Sequence, residues 1–462
     1  MKFITIKFIV FLIIAIPIIF SCRINPAAEE FEPTDITFED ANFEALLREI
    51  LEIPDASITN YDLWSIKEIR AEDRSISSIS GIEHCTGLHK LFLPNNQISN
   101  ISHLIELVLL DSIDLSNNNI TDLSPLIENT GIGIGDDYIN VNNNPLNDNS
   151  IYQETTKLRA RGVEVISNAT PSAPGEVYFA DANFENLIRE IIAKPTEPIN
   201  SAELATITEI NGRGKEIENI YGIEYCGNIQ SIELGENSIS DLAPLKNLTE
   251  LTDLRLEQNL IGDIKDISNI KNLTKLNLQN NLINDIALII NLTNLNSLNL
   301  SGNPITNFTP LRALENLTWL ELNDIDDLNL NHIITLKNIQ TLFASNSNIS
   351  GFNLIYQMDN LENLFLSNCS LTDINPIGEL KNLKRLFLKG NTIEDITPLE
   401  ELLNLREIEL GNNNISDILP LVNNSGLVGG DDYVLIYNNP LSAESLNDYI
   451  PQLQARGVTV IF

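Results

Sequence analysis

Apolar residues along most of the chain recur in a unit of 22 residues, L-x-x-L-x-L-x-x-N-x-I-x-x-I/L-x-x-L-x-x-L. It reads cleanly from Leu251-Thr-Asp-Leu254-Arg-Leu256-Glu-Gln-Asn259. Its opening leucines alternate with polar residues at period two, the signature of a short strand with one buried face. The next apolar positions fall every third residue, often beside proline, as in Ala243-Pro244-Leu245, Thr309-Pro310-Leu311 and Thr397-Pro398-Leu399. Three-residue spacing suits 3₁₀ or extended turns and leaves no room for a long helix. One unit cannot bury its own leucine face. Units must therefore stack into a one-dimensional solenoid with a parallel sheet along one side.

The Asn of the unit forms a column, Asn96 and Asn118 early in the chain and Asn237, Asn259, Asn281, Asn303, Asn391 and Asn413 later. An amide side chain at that turn can bond backbone groups left unpaired between coils. Between Asn303 and Asn391 the same register carries Ile325, Ser347 and Cys369. Ser and Cys can substitute in part; Ile cannot. This unit resembles the leucine-rich repeat, and its length resembles the internalin-like class. The resemblance implies an α/β leucine-rich repeat solenoid, with a parallel β-sheet on the concave face and 3₁₀ or extended turns on the convex face.

The architecture occurs twice. Phe38-Glu-Asp-Ala-Asn-Phe43-Glu-Ala-Leu-Leu-Arg48-Glu-Ile50 matches Phe179-Ala-Asp-Ala-Asn-Phe184-Glu-Asn-Leu-Ile-Arg189-Glu-Ile191 at an offset of 141, and Gly81–Cys85 matches Gly222–Cys226 at the same offset. Ala160-Arg161-Gly162-Val163 matches Ala455-Arg456-Gly457-Val458 at an offset of 295. The offsets differ by 154, seven units of 22, so the second module is the first with seven turns added between the same ends. The reading is two tandem solenoids, residues 36–167 with four turns and 178–462 with eleven, joined by a Pro/Gly-rich linker at 168–177. Each inserts four residues before its last turn. Phe43, Leu46, Leu47 and Ile50 share a helical face, as do Phe184, Leu187, Ile188 and Ile191, which predicts helical N-terminal caps.

The N-terminus departs from the repeat. Lys2 and Lys7 precede a continuous apolar run, Phe8–Phe20, too short to span a bilayer comfortably, and the segment ends Ile19-Phe20-Ser21-Cys22. That ending resembles the bacterial lipoprotein box, which implies a signal peptide over 1–21, lipid attachment at Cys22, a polar tether over 22–35, and a place in the bacterial cell envelope, with the surface of an outer membrane as one location. The formal net charge of −36 argues against nucleic-acid binding and against adhesion to an anionic lipid surface through a basic patch.

Little in the chain suggests catalysis. Cys85 and Cys226 occupy the core position that Leu248 holds one turn on, and Cys369 sits in the Asn column, so all three read as buried structural thiols. The Gly-rich loops Thr130–Tyr138 and Ser425–Tyr433 coincide with the four-residue insertions, and their paired Asp lack a regular cation-ligand spacing. No G-x-S-x-G or H-E-x-x-H occurs. The N-L-T sequons at Asn247, Asn272, Asn291 and Asn316 are repeat consensus. The expectation is a non-enzyme with no cofactor, no metal and no small-molecule substrate.

The informative signal lies in the fifth position of the unit, which points out of the core from the centre of each strand. In the long module this column reads Asn211, Glu233, Arg255, Asn277, Asn299, Glu321, Phe343, Phe365, Phe387, Glu409, Leu435. Three successive Phe should stack ~4.8 Å apart. Trp319 lies one turn before in the neighbouring column, Arg385 and Lys389 flank Phe387, and Tyr433 and Tyr437 follow near the C-terminal cap. Aromatic residues flanked by cations on an otherwise acidic surface have the character of a binding hot spot. The expected function is an envelope-anchored protein that recognises a protein or glycan partner through its concave face, with adhesion one use; the alternative is a scaffolding lipoprotein that binds the cell's own proteins. Internalins imply host adhesion, but no immunoglobulin-like domain or cell-wall sorting tail follows the repeats here.

Overall fold

The computed structural model describes residues 33–462. Cys22, the leader 1–21 and residues 22–32 of the tether lie outside the described residues.

Each L-x-L segment forms a three-residue strand whose central residue is buried and whose flanking residues face out, as in Asp253–Arg255 around Leu254. Successive strands pair in parallel, residue for residue, one unit apart: Glu209 with Ser231, Asp253 with Lys275, Arg385 with Glu407. The strands form a five-stranded sheet that starts at Glu68–Arg70 and ends at Glu164–Ile166, and a twelve-stranded sheet from Glu209–Asn211 to Thr459–Ile461. All the main pairings are between neighbours in sequence, so the sheet order is the chain order.

The convex side is built from short 3₁₀ segments such as Ala243–Leu245, Thr309–Ala313 and Thr397–Leu399, each with Pro in its first turn. An Asp or Asn two residues ahead accepts the first free amide, for example Asp241 from Ala243 N at 2.8 Å and Asp395 from Thr397 N at 2.8 Å. The buried leucines and isoleucines between strand and turn form one continuous core per sheet.

Two asparagine ladders close the coils. In the expected one, Asn281 Nδ2 donates to Leu256 O (2.9 Å) and Leu278 O (3.0 Å), while its Oδ1 accepts from Ile261 N (3.0 Å), tying three backbone groups of two adjacent coils to one buried side chain. Asn96, Asn118, Asn259, Asn303, Asn391 and Asn413 are buried in the same way, and Asn237, on the second turn of its sheet, is half-buried. The residue ahead of each column Asn has φ near +55 to +70°, as at Asn117, Gln258, Asn280 and Gly302. The second ladder lies on the convex rim, where Asn272, Asn294, Asn316, Asn338, Asn360, Asn382 and Asn404 each donate to the carbonyl 23 residues earlier. Asn272 and Asn316 are two of the sequon residues, so the side-chain amides of these two are spent on the solenoid.

The caps follow from the duplicated sequence. Helices Ala41–Leu51 and Ala182–Ile191 start at Asp40 and Asp181, whose carboxylates accept the first free amides (Asn42 and Phe43; Asn183 and Phe184). Asp40 also accepts from Ser77 N at 2.7 Å, which fastens the helix to the first coil. Phe43, Leu46 and Leu47, and likewise Phe184, Leu187 and Ile188, are buried. Ile50 and Ile191 are not: they are 38% and 39% exposed, because each helix's last turn runs past the edge of the coil it covers.

The four-residue insertions lengthen the convex turn into short helices, Ser124–Glu128 and Leu419–Asn423, followed by the Gly-rich loops. The glycines are steric: a Cβ at Gly131 would lie 1.9 Å from Val108 O, and one at Gly426 2.1 Å from Leu403 O. The second Asp of each pair is a turn acceptor, Asp432 from Val428 N and Gly429 N at 3.0 Å each and Asp137 from Gly133 N. Among the described residues no group of three or more His, Cys, Asp or Glu is placed to hold a metal ion.

The two sheets meet at a compact contact. Tyr152, buried at the end of the first, packs on Tyr225 with ring centroids 5.0 Å apart. Ser201 Oγ donates to the Tyr152 hydroxyl (2.9 Å), which itself donates to Ala173 O (3.2 Å), and the Tyr225 hydroxyl donates to Ile151 O (3.3 Å).

Candidate partner-binding face

The concave surface of the long sheet changes character along its length. Its first strands are charged and self-paired: Arg213 bridges Glu236 at 2.9 Å and also pairs with Glu257, and Arg255 holds Asp253 at 3.0 Å. From strand Ser297–Asn299 to strand Asn363–Phe365 the outward residues of the strands themselves are Ser297, Asn299, Trp319, Glu321, Thr341, Phe343, Asn363 and Phe365. One charge is present among these eight, and Trp319 Nε1 donates to it, reaching Glu321 Oε1 at 2.7 Å. In a chain of net charge −36, these four strands form a nearly neutral window.

The aromatic residues come together within it. Phe343 stacks on Phe365 with centroids 4.1 Å apart and planes within 7°, and Phe365 stacks on Phe387 at 4.7 Å and 29°. Strand register explains this, since Phe343 pairs directly with Phe365 and Phe365 with Phe387. Trp319 is offset by one column, opposite Thr341, and leans against Phe343 at 5.2 Å and 41°. The Phe rings are half-buried, and Trp319 is 40% exposed.

Short polar side chains flank the rings on both sides. Asn363 Nδ2 donates to Thr341 Oγ1 at 2.9 Å. On the other side Ser301 Oγ, Asn323 Oδ1 and Ser345 Oγ each accept the amide of the next strand, from Asn323 N, Ser345 N and Ser367 N at 2.9–3.1 Å. The rings therefore stand as a ridge between two low, hydrogen-bonded strips. Sequence reasoning missed these strips, although small polar residues at steps of 22 were there to be read.

The flanking cations both have partners. Arg385 pairs with Glu407 at 3.2 Å. Lys389 Nζ lies 5.8 Å from the centre of the Tyr437 ring, and the Tyr437 hydroxyl donates to Glu409 Oε1 at 2.9 Å. A hydrogen bond with Tyr437, with the negative charge of Glu409 behind it, holds the Lys389 ammonium above its ordinary pKa. Tyr433 stays apart, exposed beside Glu407, two strands beyond Arg385.

The same turns are irregular at the Asn column. Ile325 offers no acceptor to Ile305 N, and Asn348 N bonds Ile325 O, a register slipped by two relative to Leu260 N on Ile239 O. A small second sheet, Leu328–Asn329 with Ile349–Ser350, forms there. Ser347 Oγ reaches Leu322 O at 3.2 Å, and Cys369 Sγ reaches Ala344 O at 3.1 Å, so both substitute in part for Asn. Cys85, Cys226 and Cys369 are free and buried, and burial pushes the first two thiols up to about 12.

One family profile agrees with this architecture. The family profile of leucine-rich repeats in two copies matches residues 271–313, 359–401 and 381–423. No curated protein sequence matches the chain. Among solved structures, an internalin of Listeria monocytogenes is similar at 22% identity, over 92% of this chain and 96% of that one, with a TM-score of 0.40. Internalin C2 of the same species is 29% identical over 51% of this chain and 97% of that one, with a TM-score of 0.41. A leucine-rich repeat protein of Leptospira interrogans is 21% identical over 87% and 91%, with a TM-score of 0.46. Parallel strands in chain order, one per 22-residue unit, over a continuous leucine core make the fold a leucine-rich repeat solenoid.

Proposed function

We propose that the protein is a partner-binding protein of the bacterial cell envelope, anchored by lipid at Cys22, and that it engages a protein through the ridge Trp319–Phe343–Phe365–Phe387. Leucine-rich repeat solenoids generally serve as binding scaffolds, using the concave surface that stacking creates. The observation that carries the reading is the ring ladder itself, three Phe in register with Trp319 leaning on the first, which begins in a nearly neutral window of an acidic chain.

The stacking geometry favours a protein over a glycan. A sugar packs against the face of an aromatic ring, and here the faces of Phe343, Phe365 and Phe387 are largely covered by one another. What the ridge offers is a row of ring edges, suited to aliphatic and aromatic side chains in a dehydrated contact. Because Arg385 and Lys389 already have partners, charge contributes little to the contact, and affinity should change little with salt.

The test is capture of partners from envelope extracts by the soluble chain beginning at Arg23, compared with a Phe343→Ser/Phe365→Ser/Phe387→Ser variant. Loss of a specific partner with cooperative unfolding retained supports the ridge. An unchanged set of partners excludes it. Protease treatment of whole cells then separates a surface adhesin, which is cleaved, from an inward-facing scaffold, which is protected.

A further inference from the structure

The duplication lets one molecule serve as its own control. At an offset of 141, the face of the long sheet's N-terminal cap that receives Tyr152 is repeated on the cap of the short sheet. Ser201 corresponds to Asn60 and Tyr225 to His84. On the copy where Tyr152 packs, the neighbouring positions are small, the half-buried Ala205 and the exposed Ala202. Where nothing among the described residues covers the face, they are Tyr61 and Trp64.

These two rings are 60% and 49% exposed, with centroids 6.3 Å apart. Lys67 Nζ lies 5.9 Å from the centre of the Trp64 ring, in place of Thr208 in the other copy. With Asn60, His84 and Thr86 they line a shallow depression of about 310 Å³. Neither ring contributes to the core, which is complete beneath them at Leu63 and Ile66. Substituting aromatics for alanines on the uncovered copy adds apolar surface without adding packing, so the gain must come from outside the solenoid.

The path of the chain indicates what lies there. Thr34 N donates to Asn60 Oδ1 at 3.0 Å, and Asn60 N donates to Thr34 O at 3.1 Å, so the chain enters the described structure at this face. Cys22 stands eleven residues before Pro33, a reach of at most roughly 40 Å. We propose that Tyr61, Trp64 and Lys67 form a membrane-contact face that rests the N-terminal cap on the interfacial region of the bilayer holding Cys22. The proposal rests on the lipid-anchored reading of Cys22.

Trp and Tyr suit the headgroup region, where an apolar body and a polar tip are both solvated, and a Lys beside them reaches phosphate. Two rings on so acidic a chain bind a bilayer weakly when free. Tethering converts the contact into an intramolecular one and raises its effective concentration. Fixed in this way, the solenoid leaves the membrane cap first, with the ridge at Phe343–Phe387 many coils away from the bilayer.

The experiment uses the chain from Cys22 onward with Trp319→Phe, which leaves Trp64 as its only tryptophan. Coupling the Cys22 thiol to a maleimide lipid in phosphatidylcholine vesicles supplies the anchor chemically, while Cys85, Cys226 and Cys369 are buried away from the reagent. The expected result is a blue shift of Trp64 emission, quenching by brominated acyl chains and protection from acrylamide, all weakened by Tyr61→Ala with Lys67→Gln. Adding anionic lipid should lessen the protection. Equal acrylamide quenching of tethered and free protein overturns the proposal. So does Trp64 already shielded before vesicles are added, which assigns the face to residues 23–32 or to a second copy. Mass spectrometry of the natively expressed chain reads acylation of Cys22 separately, so failure of the anchor and failure of the face are distinguishable.

Discussion

The turns at Asn259, Asn281 and Asn303 and those at Ile325, Ser347 and Cys369 have the same length and strand register, yet they are held together differently. In the first group a buried amide satisfies backbone groups of neighbouring coils, while the fifth-position residues Arg255, Asn277 and Asn299 are polar. In the second the amide is missing, the register slips by two beside Ile325, and the concave side carries Trp319, Phe343 and Phe365, with Phe387 following on the regular Asn391 turn. The consensus is relaxed on the rim of the turns whose outward face is specialised. An aromatic stack across strands adds some cohesion of its own, roughly 0.5–1.5 kcal/mol per pair beyond area burial, comparable with the net worth of a hydrogen bond or two. The specialised region is therefore expected to depend on side-chain packing where the regular one depends on buried hydrogen bonds.

The largest expected effect comes from breaking the regular group. Asn281→Ala strands Ile261 N in a buried site and removes one of the two amide donors at each of the Leu256 and Leu278 carbonyls, which keep Asn259 Nδ2 and Asn303 Nδ2, and should cost about 2–4 kcal/mol in urea unfolding. A cost under about 1 kcal/mol would mean that water replaces the amide and that the two groups of turns do not differ in kind.

Alkaline pH probes an equivalent position in the separate cores of the two sheets. Cys85 and Cys226 are fully buried, and burial raises their thiols to about 12. In the unfolded chain a thiol ionises near its ordinary value, so above about pH 9 the unfolded state holds fewer protons than the native one. Stability is then unaffected at neutral pH and falls as pH rises toward 12, by up to about 1.4 kcal/mol per pH unit for each thiol. Cys85→Val should flatten that slope for the first sheet, and an unchanged slope would count against burial of the thiol.

Phe365→Ala, in the middle of the ladder, should cost about 1–3 kcal/mol, through two lost stacks and partial loss of burial. Ser347→Ala should be the mildest change, about 1–2 kcal/mol, because one hydroxyl accepts from Ile325 N and reaches Leu322 O, fewer bonds than the Asn281 amide makes. If Ser347→Ala proved as costly as Asn281→Ala, the contrast between amide-held and ring-held turns would collapse.

Much of this was legible in the chain because a solenoid makes contacts local in register. A residue's neighbour across the sheet is the residue 22 positions on, so column reading found Phe343 beside Phe365 and Phe387, and put Trp319 one column aside. The helical caps were equally visible from the duplicated segments, though not the Asp residues that start them. What column reading could not supply is the state of each side chain within its column. Column reading put Arg385 and Lys389 beside Phe387 but not the partners Glu407, Tyr437 and Glu409 around them. Ile50 and Ile191 fit the helical face by periodicity but overhang the coil beneath.

The sequence by itself determined the repeat, its parallel strands, the buried leucine column, the Asn column and its three-turn lapse, since each follows from periodicity and from the need to satisfy backbone groups between coils. Tertiary structure alone decided how outward side chains pair, because ion pairs and ring tilts depend on distances of a few ångströms that no period encodes. It also decided where irregularity was absorbed, in the slipped register and the small second sheet beside Ile325. And it decided which of two equivalent cap faces is covered by Tyr152 and which leaves Tyr61 and Trp64 in the open, because that depends on where the chain runs between the repeats rather than on the repeats themselves.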